Sequence, residues 1–581
     1  MNVHFKRIII TVWILLCVFS TVDTGLFVYP VMSQFMLGGA LALLLVIMAF
    51  SYMAYAKTTC LSGISSFVLF AWWLYICVHS VFAPQVEEYR LVYLSTGILL
   101  MFSLAVMLRD GLLSASHLRS GCLLMLVLHI ICLLAQASGL MRSSNTFFPL
   151  TGFNDNPNAT AMLIAVCVPM LCDRLKTSRR VSLLLVSLTL SVVFLFVLRC
   201  RTAFVGLAVI IVVRLLSSRG LLTVWTDRSR GAKTVIAAVL LLLLSFALFG
   251  MYSVKKDSSE GRLLIWRISA DMMVKNPEGC GVGMFQREYN VMQGKYFADG
   301  KHSADECKSA DIVFMAYNDY LEHGTEAGLV GMFFMMTFYL ALMVSSYRQR
   351  EYGALASVTA FAVMSMVNFV YTSVQTWCVM ICYAAYVMSV ERRVTCGRFF
   401  RVVCLSVLAF GSVVCVFVHV RHTYAQIRLK TVRKYCADDA GMSVRLLSEL
   451  SPYIGTSEAY WSALADAYMK EDEYGEALEC LDKASVYAMN PSVLFRSFVC
   501  CDKMDETEEG ARYLRCLCDM MPHNLTARYV LMKLYVKFGD DDKALRYATE
   551  ILTIPVKVRN EKSDAVMNEA RRYIYELSTN K

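Results

Sequence analysis

Apolar blocks of membrane-spanning length follow one another along this chain up to about Val420 and then stop. A bilayer's hydrocarbon core takes about 20 residues of helix per crossing, so the pattern predicts a polytopic helical membrane protein. The spacing places spans at 8–22, 35–54, 62–82, 91–108, 121–140, 158–172, 181–198, 203–217, 234–252, 327–345, 354–371, 374–390 and 399–419. Composition agrees, with 57% of residues hydrophobic and 18% charged, where soluble domains sit near half and a quarter.

The formal charge of +10 is a topology signal and not a nucleic-acid footprint. With the N-terminus cytoplasmic, the inside segments hold Lys6, Arg7, Lys57, Arg109, Arg119, Arg174, Lys176, Arg179 and Arg180. Further along they hold Arg214, Arg219, Arg228, Arg230, Lys233, Arg348, Arg350, Arg392, Arg393, Arg398 and Arg401. The short outside loops hold only Arg90, Arg142, Arg199 and Arg201. This is the positive-inside bias, and an odd number of spans then puts the C-terminus outside. Lys6-Arg7 before an apolar run is similar to a signal sequence, but Ser20-Thr21-Val22-Asp23 offers no small-x-small cleavage site, so an uncleaved first span is expected.

Most of the twenty-one cysteines lie in apolar spans, where Cys behaves as a small hydrophobe. None forms a CxxC pair of metal spacing. Cys280 and Cys307, in the large outside loop, are candidates for a disulfide. Cys500-Cys501 and Cys516-x-Cys518 are expected to pack between helices.

Four regions follow: spans one to nine over 1–252, a large outside loop over 253–326, spans ten to thirteen over 327–420, and a soluble C-terminal region over 421–581. A loop of that length carries function or structure of its own. Within it, Gly261–Met273 reads as a helix ended by Asn276-Pro277, and Asp311–Glu326 as another that leads into the next span. In the last region Ser443, Ala477, Ala511 and Ala544 recur at spacings of 34, 34 and 33 residues. One unit contains Trp461, Leu464, Tyr468, Ala477, Leu481 and Ala484; a later one contains Leu531, Tyr535, Gly539 and Ala544. Pro491, Pro522 and Pro555 fall between helices. The pattern resembles tetratricopeptide repeats, with a degenerate middle unit that has Asp502 where a large aromatic is usual. Such an α-solenoid either binds a protein partner along its concave face or serves as a spacer.

Four polar stretches converge on the outer membrane face. Thr151-Gly-Phe-Asn-Asp-Asn-Pro-Asn158 opens the sixth span; Asn156 and Asn158 either cap the helix or hydrogen-bond a hydroxyl-rich ligand. Arg199-Cys-Arg-Thr202 places two guanidiniums at membrane depth, where ionisable groups are costly and tend to be functional. Their fork matches two phosphate oxygens, and a two-residue offset lets only one of them face a ligand; interfacial snorkelling is the plainer reading. Glu260-Gly-Arg-Leu-Leu-Ile-Trp-Arg267 carries Arg262 and Trp266 and runs into a glycine string, Gly279 to Gly283, that follows a helix and so makes no nucleotide loop. In Ala316–Gly331, helical spacing puts Asp319, Glu322, His323 and Glu326 on one face. That face either removes a proton from an acceptor hydroxyl or is a hydrated helix entrance.

In this order, these stretches resemble the O-antigen ligase family, which includes O-antigen ligases, O-antigen polymerases and protein O-oligosaccharyltransferases. The likeness rests on Gly152 to Asn158, Arg201-Thr202, Gly261-Arg262 with Trp266, and Asn318 to Gly331, and it covers roughly residues 30–390. Tyr317 stands where the family has the His before Asn, and His323 lies six residues on, about 120° round the helix. The resemblance implies a glycan donor on a polyprenyl pyrophosphate and transfer at the periplasmic face of a bacterial inner membrane. The acceptor is lipid A–core, a growing glycan or a protein, with the ligase reading ranked first. Arg201, Arg262, Tyr317, Asn318, Glu322 and His323 are the expected catalytic residues. Asn156, Asn158, Arg199, Trp266 and Glu326 are the expected substrate contacts. Neither metal nor cofactor is expected. Two other classes compete: a transporter of lipid-linked glycan and a membrane-anchored repeat scaffold. The first lacks matching halves; the second leaves the outside arginines unexplained.

Overall fold

A computed structural model describes residues 3–27, 30–56, 63–175, 181–217, 256–298, 300, 302–392, 397–435, 439–554, 556–557 and 559–579. The expected span at 234–252 and Pro555 lie outside these, as do Lys57, Lys176, Arg179, Arg180, Arg219, Arg228, Arg230, Lys233 and Arg393. The described residues are helical and contain no strand.

Twelve helices match the other expected spans: α1 (Val3–Phe19), α2 (Pro30–Ala56), α3 (Ile64–Phe82), α4 (Glu88–Arg109), α5 (Ala115–Ala137), α6 (Pro157–Leu175), α7 (Val181–Leu198), α8 (Arg201–Leu216), α12 (Asp319–Arg348), α13 (Tyr352–Ser365), α14 (Val374–Val390) and α15 (Arg398–Tyr435). Six of them, α2 to α5, α12 and α15, are long and apolar enough to cross a membrane, and α6, α7, α13 and α14 are shorter apolar helices. The protein is a multi-pass helical membrane bundle.

Its centre is α4, buried almost continuously from Leu94 to Met107 and packed by α2, α14 and α15. Small residues set how closely its neighbours approach: a Cβ on Gly97 of α4 would lie 2.5 Å from the Trp377 indole nitrogen of α14. Buried amides hold one end together. Gln34 Nε2 donates to Thr21 O and Phe153 O, and Gln375 Nε2 donates to Ser20 O and Gln34 Oε1. At the other end Ser65 Oγ donates to Glu391 Oε1 at 2.5 Å, and Ser345 donates to the same oxygen.

Three boundaries differ from the expected ones. Span eleven, expected to reach 371, ends at Ser365, because Asp319 draws residues 366–373 into a turn. The helix expected from Asp311 begins at Asp319, because the Asn318 side chain caps it and Tyr317 adopts φ 50°. The last span does not stop near 420: α15 runs on to Tyr435, since Ala425, Leu429 and Val432 continue its apolar stripe into the core of the C-terminal region.

Between the spans lie α9 (Lys256–Lys275), α10 (Phe285–Phe297) and α11 (Ala304–Ser309). After α15 come α16 (Ala440–Ser448), α17 (Ser451–Ile454) and seven longer helices: α18 (Glu458–Lys470), α19 (Tyr474–Tyr487), α20 (Pro491–Lys503), α21 (Thr507–Met520), α22 (Leu525–Lys537), α23 (Asp541–Thr553) and α24 (Glu561–Thr579). Each of α18 to α24 packs on the next. Ala477, Leu481 and Ala484 are fully buried in the first pair. In the middle pair Asp502 of α20 faces Lys537 of α22, two helices on, at 3.5 Å. Leu481→Ala is expected to cost about 3 kcal/mol through the cavity it leaves. Limited proteolysis of the full chain should read this as earlier cleavage within α18–α21 and an unchanged pattern in the bundle.

The C-terminal helices dock on the bundle-side loop. Asn290 Nδ2 of α10 donates to Met489 O (2.9 Å), Gln293 Nε2 donates to Met520 O (2.8 Å), and Lys557 pairs with Asp311 at 2.7 Å. Cys280 and Cys307 are both free.

Candidate functional site

The site is organised by a helix that breaks. At Gly328 (φ 73°, ψ 177°) α12 loses its regular turn, and the carbonyls before the break need new donors. The glycine string supplies them. Cys280 N–H donates to Thr325 O and Gly281 N–H to Glu326 O, each at 2.9 Å, and Leu329 N–H turns to Pro277 O at 3.0 Å. Tyr75 of α3 donates to Ala327 O at 2.8 Å. Gly279, Gly281 and Gly283 all have positive φ, a region open chiefly to glycine. A Cβ on Gly281 would lie 1.8 Å from Gln85 O.

The first half of α12 therefore stands as a separate stub whose three acidic side chains divide between two surroundings. Asp319, fully buried, accepts from Ser365 Oγ (2.7 Å) and from the Val370 N–H (2.9 Å) and Tyr371 N–H (3.4 Å). Glu322 accepts from Ala316 N–H (2.8 Å) and Tyr371 Oη (3.3 Å), and Glu326 accepts from Phe285 N–H (3.4 Å). His323 points away, into α3, where its Nε2 accepts from the Trp72 indole at 3.0 Å. The one acidic face expected from periodicity is thus divided: Glu322 and Glu326 line a cavity, while Asp319 and His323 are engaged elsewhere. That cavity also takes in Glu87 and Arg90 at the start of α4, which pair at 3.7 Å. Burial pushes the Glu87 carboxyl above its ordinary value, against the pull of Arg90 and His422, and the facing Glu458 pushes it the same way.

Beside this cavity lie the arginines. Arg201 is the first residue of α8, and its Nη1 donates to Ser259 Oγ of α9 at 3.1 Å. Arg262, on α9, donates from Nη1 to Val367 O at 2.8 Å and sits over the Tyr317 ring at 4.9 Å. Burial pushes the Arg262 guanidinium below its ordinary value; Tyr317 opposes this and the Arg201 charge adds to it. It stays charged all the same. Among the described residues Arg262 meets a carbonyl and an aromatic ring but no carboxylate. Burial raises the Tyr317 phenol, with Arg262 opposing. Trp266 donates its indole N–H to Ala316 O at 3.1 Å. Arg199 is exposed, in a left-handed turn with φ 50°.

Asn318 is a helix cap: its Oδ1 accepts from the Tyr320 and Leu321 N–H groups at 3.0 and 3.1 Å. Asn318→Ala is expected to cost about 1 kcal/mol of stability, seen as a modest drop in melting temperature that Asn318→Asp avoids. Asn156 behaves likewise at α6, accepting from Asn158 N–H at 2.9 Å. Asn158 is half-buried, and its carbonyl lies 4.0 Å from Cys200 Sγ, just ahead of Arg201.

Sequence reading missed the hub of this site, the turn over 366–373. Its Val367 carbonyl holds Arg262, Asn368 Nδ2 donates to Thr202 Oγ1 (3.1 Å), Phe369 packs on Tyr317, and Tyr371 joins Glu322 to Tyr93. Asn368 and Tyr371-Thr372-Ser373, polar residues at the end of an apolar run, were the available signal. Glu87 and Arg90 were missed as well, since nothing local ties them to residues more than two hundred positions away.

Fold and site together define a polytopic membrane protein with paired guanidiniums and a carboxylate-lined cavity at one end of its bundle. Residues 183–336, about a quarter of the chain, match the family model described as O-antigen ligase. The matched stretch holds Arg199, Arg201, Arg262, Trp266 and every expected site residue from Tyr317 to Glu326. Asn156 and Asn158 fall outside it, so the match is narrower than the 30–390 expected. No curated protein matches the chain.

Proposed function

We propose that this protein transfers a glycan from a polyprenyl pyrophosphate to lipid A–core at the periplasmic face of a bacterial inner membrane. The observation that carries this reading is the meeting of Arg201 and Arg262, 61 positions apart, from two helices inside the matched domain. Fixed guanidiniums suit a pyrophosphate, whose charge grows as it leaves. An acceptor hydroxyl oxygen forms the new bond to the anomeric carbon as the bond to the pyrophosphate oxygen breaks. The hydroxyl proton goes to a carboxylate, and Glu322 and Glu326 are the candidates because they line the adjacent cavity. His323 is the weaker base, since its Nε2 already accepts from Trp72. Positive charge comes from the arginines in this reading, and no metal is invoked. The C-terminal helices form a tetratricopeptide-like domain on the periplasmic side.

Deleting the gene tests the acceptor. Loss of O-antigen ladders to bare core, with lipid-linked polymer accumulating and glycoproteins intact, is the expected result. Short uniform chains would point instead to a polymerase, and loss of glycoproteins alone to an oligosaccharyltransferase. Unchanged profiles would overturn the reading.

A further inference from the structure

The cavity holding Glu322 and Glu326 is closed by a part of the chain far outside the matched domain. On the bundle side its wall is Glu87, Arg90, Glu322 and Glu326. Across from them stand Arg433, from the extension of α15, Glu458 at the start of α18, and Tyr487 at the end of α19. The two walls act on one another: the Glu458 charge reaches Glu87, and both carboxylates face the same space. Glu458 is oriented by Ser462, whose hydroxyl donates to its Oε1 at 2.5 Å.

The lining says what fits. Carboxylates on both walls are acceptors seeking hydroxyl donors, while Arg90, Arg433 and the lining Gln286 and Gln426 donate to ring and hydroxyl oxygens. Tyr487, Phe285 and Phe314 offer aromatic faces to C–H surfaces. Apolar ligands are disfavoured by the buried charges, and a simple anion by the excess of carboxylates. The arginine pair lies next door through a short link: Ala316 N–H holds Glu322, and the adjoining Tyr317 stacks under Arg262.

We propose that this junction cavity seats the carbohydrate end of the acceptor, with the first C-terminal helix pair, through Glu458 and Tyr487, forming the wall that selects it. This rests on the transfer reading above and adds to it: the C-terminal helices become part of the acceptor subsite in place of a remote partner platform or a spacer. Arg201 and Arg262 hold the donor on one side of the 366–373 turn, and the acceptor hydroxyl meets Glu322 or Glu326 on the other.

The test uses the full-length protein in proteoliposomes, with lipid-linked donor and with core oligosaccharide released from the host's lipopolysaccharide as acceptor. Glu458→Gln and Tyr487→Ala should each raise the acceptor KM about tenfold and leave kcat and the donor KM within about twofold. Both side chains are partly buried, and matching melting curves check that folding is intact. An unchanged acceptor KM in both variants overturns the proposal while leaving the arginine reading untouched. Should the wild type catalyse no transfer, saturation-transfer NMR with the same oligosaccharide decides. Binding that the double variant loses upholds the carbohydrate subsite and removes the transferase reading. Absence of binding, or binding of a Ser/Thr-rich peptide instead, overturns the subsite.

Discussion

Arg262→Ala is expected to lower glycan transfer roughly a hundredfold or more, with the protein still present in membranes at wild-type level. The side chain makes one hydrogen bond to a carbonyl and one ring contact, so its removal costs the fold only about 1–2 kcal/mol. In the proposed reaction the charge it carries, fixed beside Arg201 in a partly dehydrated setting, would meet the pyrophosphate as its negative charge increases. Arg262→Lys should restore a minor part of the activity, because an ammonium keeps the charge but loses the planar fork. Complementation of a deletion strain, scored on lipopolysaccharide gels beside quantified membrane protein, reads both variants and Arg201→Ala. Normal transfer by both Arg201→Ala and Arg262→Ala, at normal expression, would remove the arginine pair from the mechanism.

The second large effect lies in the glycine string. Gly281→Ala puts a methyl group 1.8 Å from Gln85 O, on a backbone at φ 110°. Backbone faces backbone there, so neither side can yield as a flexible side chain would. We expect a loss of about 3 kcal/mol together with loss of transfer, because the string supplies the donors for the broken turn of α12 and thereby sets Glu322 and Glu326. Thermal melting in detergent and protease cleavage near 277–284 should both report it. Gly261→Ala, inside α9 where a Cβ meets open space, is the control and should melt no lower than the wild type. Equal melting of the two proteins would mean that the loop accommodates the methyl group and that its close approach is not structural.

How much of this was readable in advance follows from the range of each force. Span positions and their alternation between the two ends are one-dimensional: a membrane helix satisfies its own backbone, so apolar length and basic asymmetry appear directly in the sequence. The helix repeats after α15 were legible for the same reason, since each buries Ala or Leu at helical spacing on its immediate neighbour. Arg201 stood out because charge at membrane depth is costly, and Arg262 because it stands with Gly261 and Trp266 in a recognisable motif of the outside loop.

The direction of each acidic side chain was another matter. Periodicity put Asp319, Glu322, His323 and Glu326 together, but a helix face about 100° wide can meet three different neighbours. Asp319 is taken by the 366–373 turn, His323 by Trp72, and the two glutamates by the cavity beside Arg90. The sequence by itself determined a helical membrane bundle, a C-terminal stack of helix pairs and the pair of arginines. Only the tertiary structure decided that span eleven ends early to make a hub, that α12 breaks against the glycine string, and that α18 and α19 close the carboxylate cavity. Those outcomes depend on hydrogen bonds and burial between residues tens to hundreds of positions apart, and no local pattern records which partners will meet.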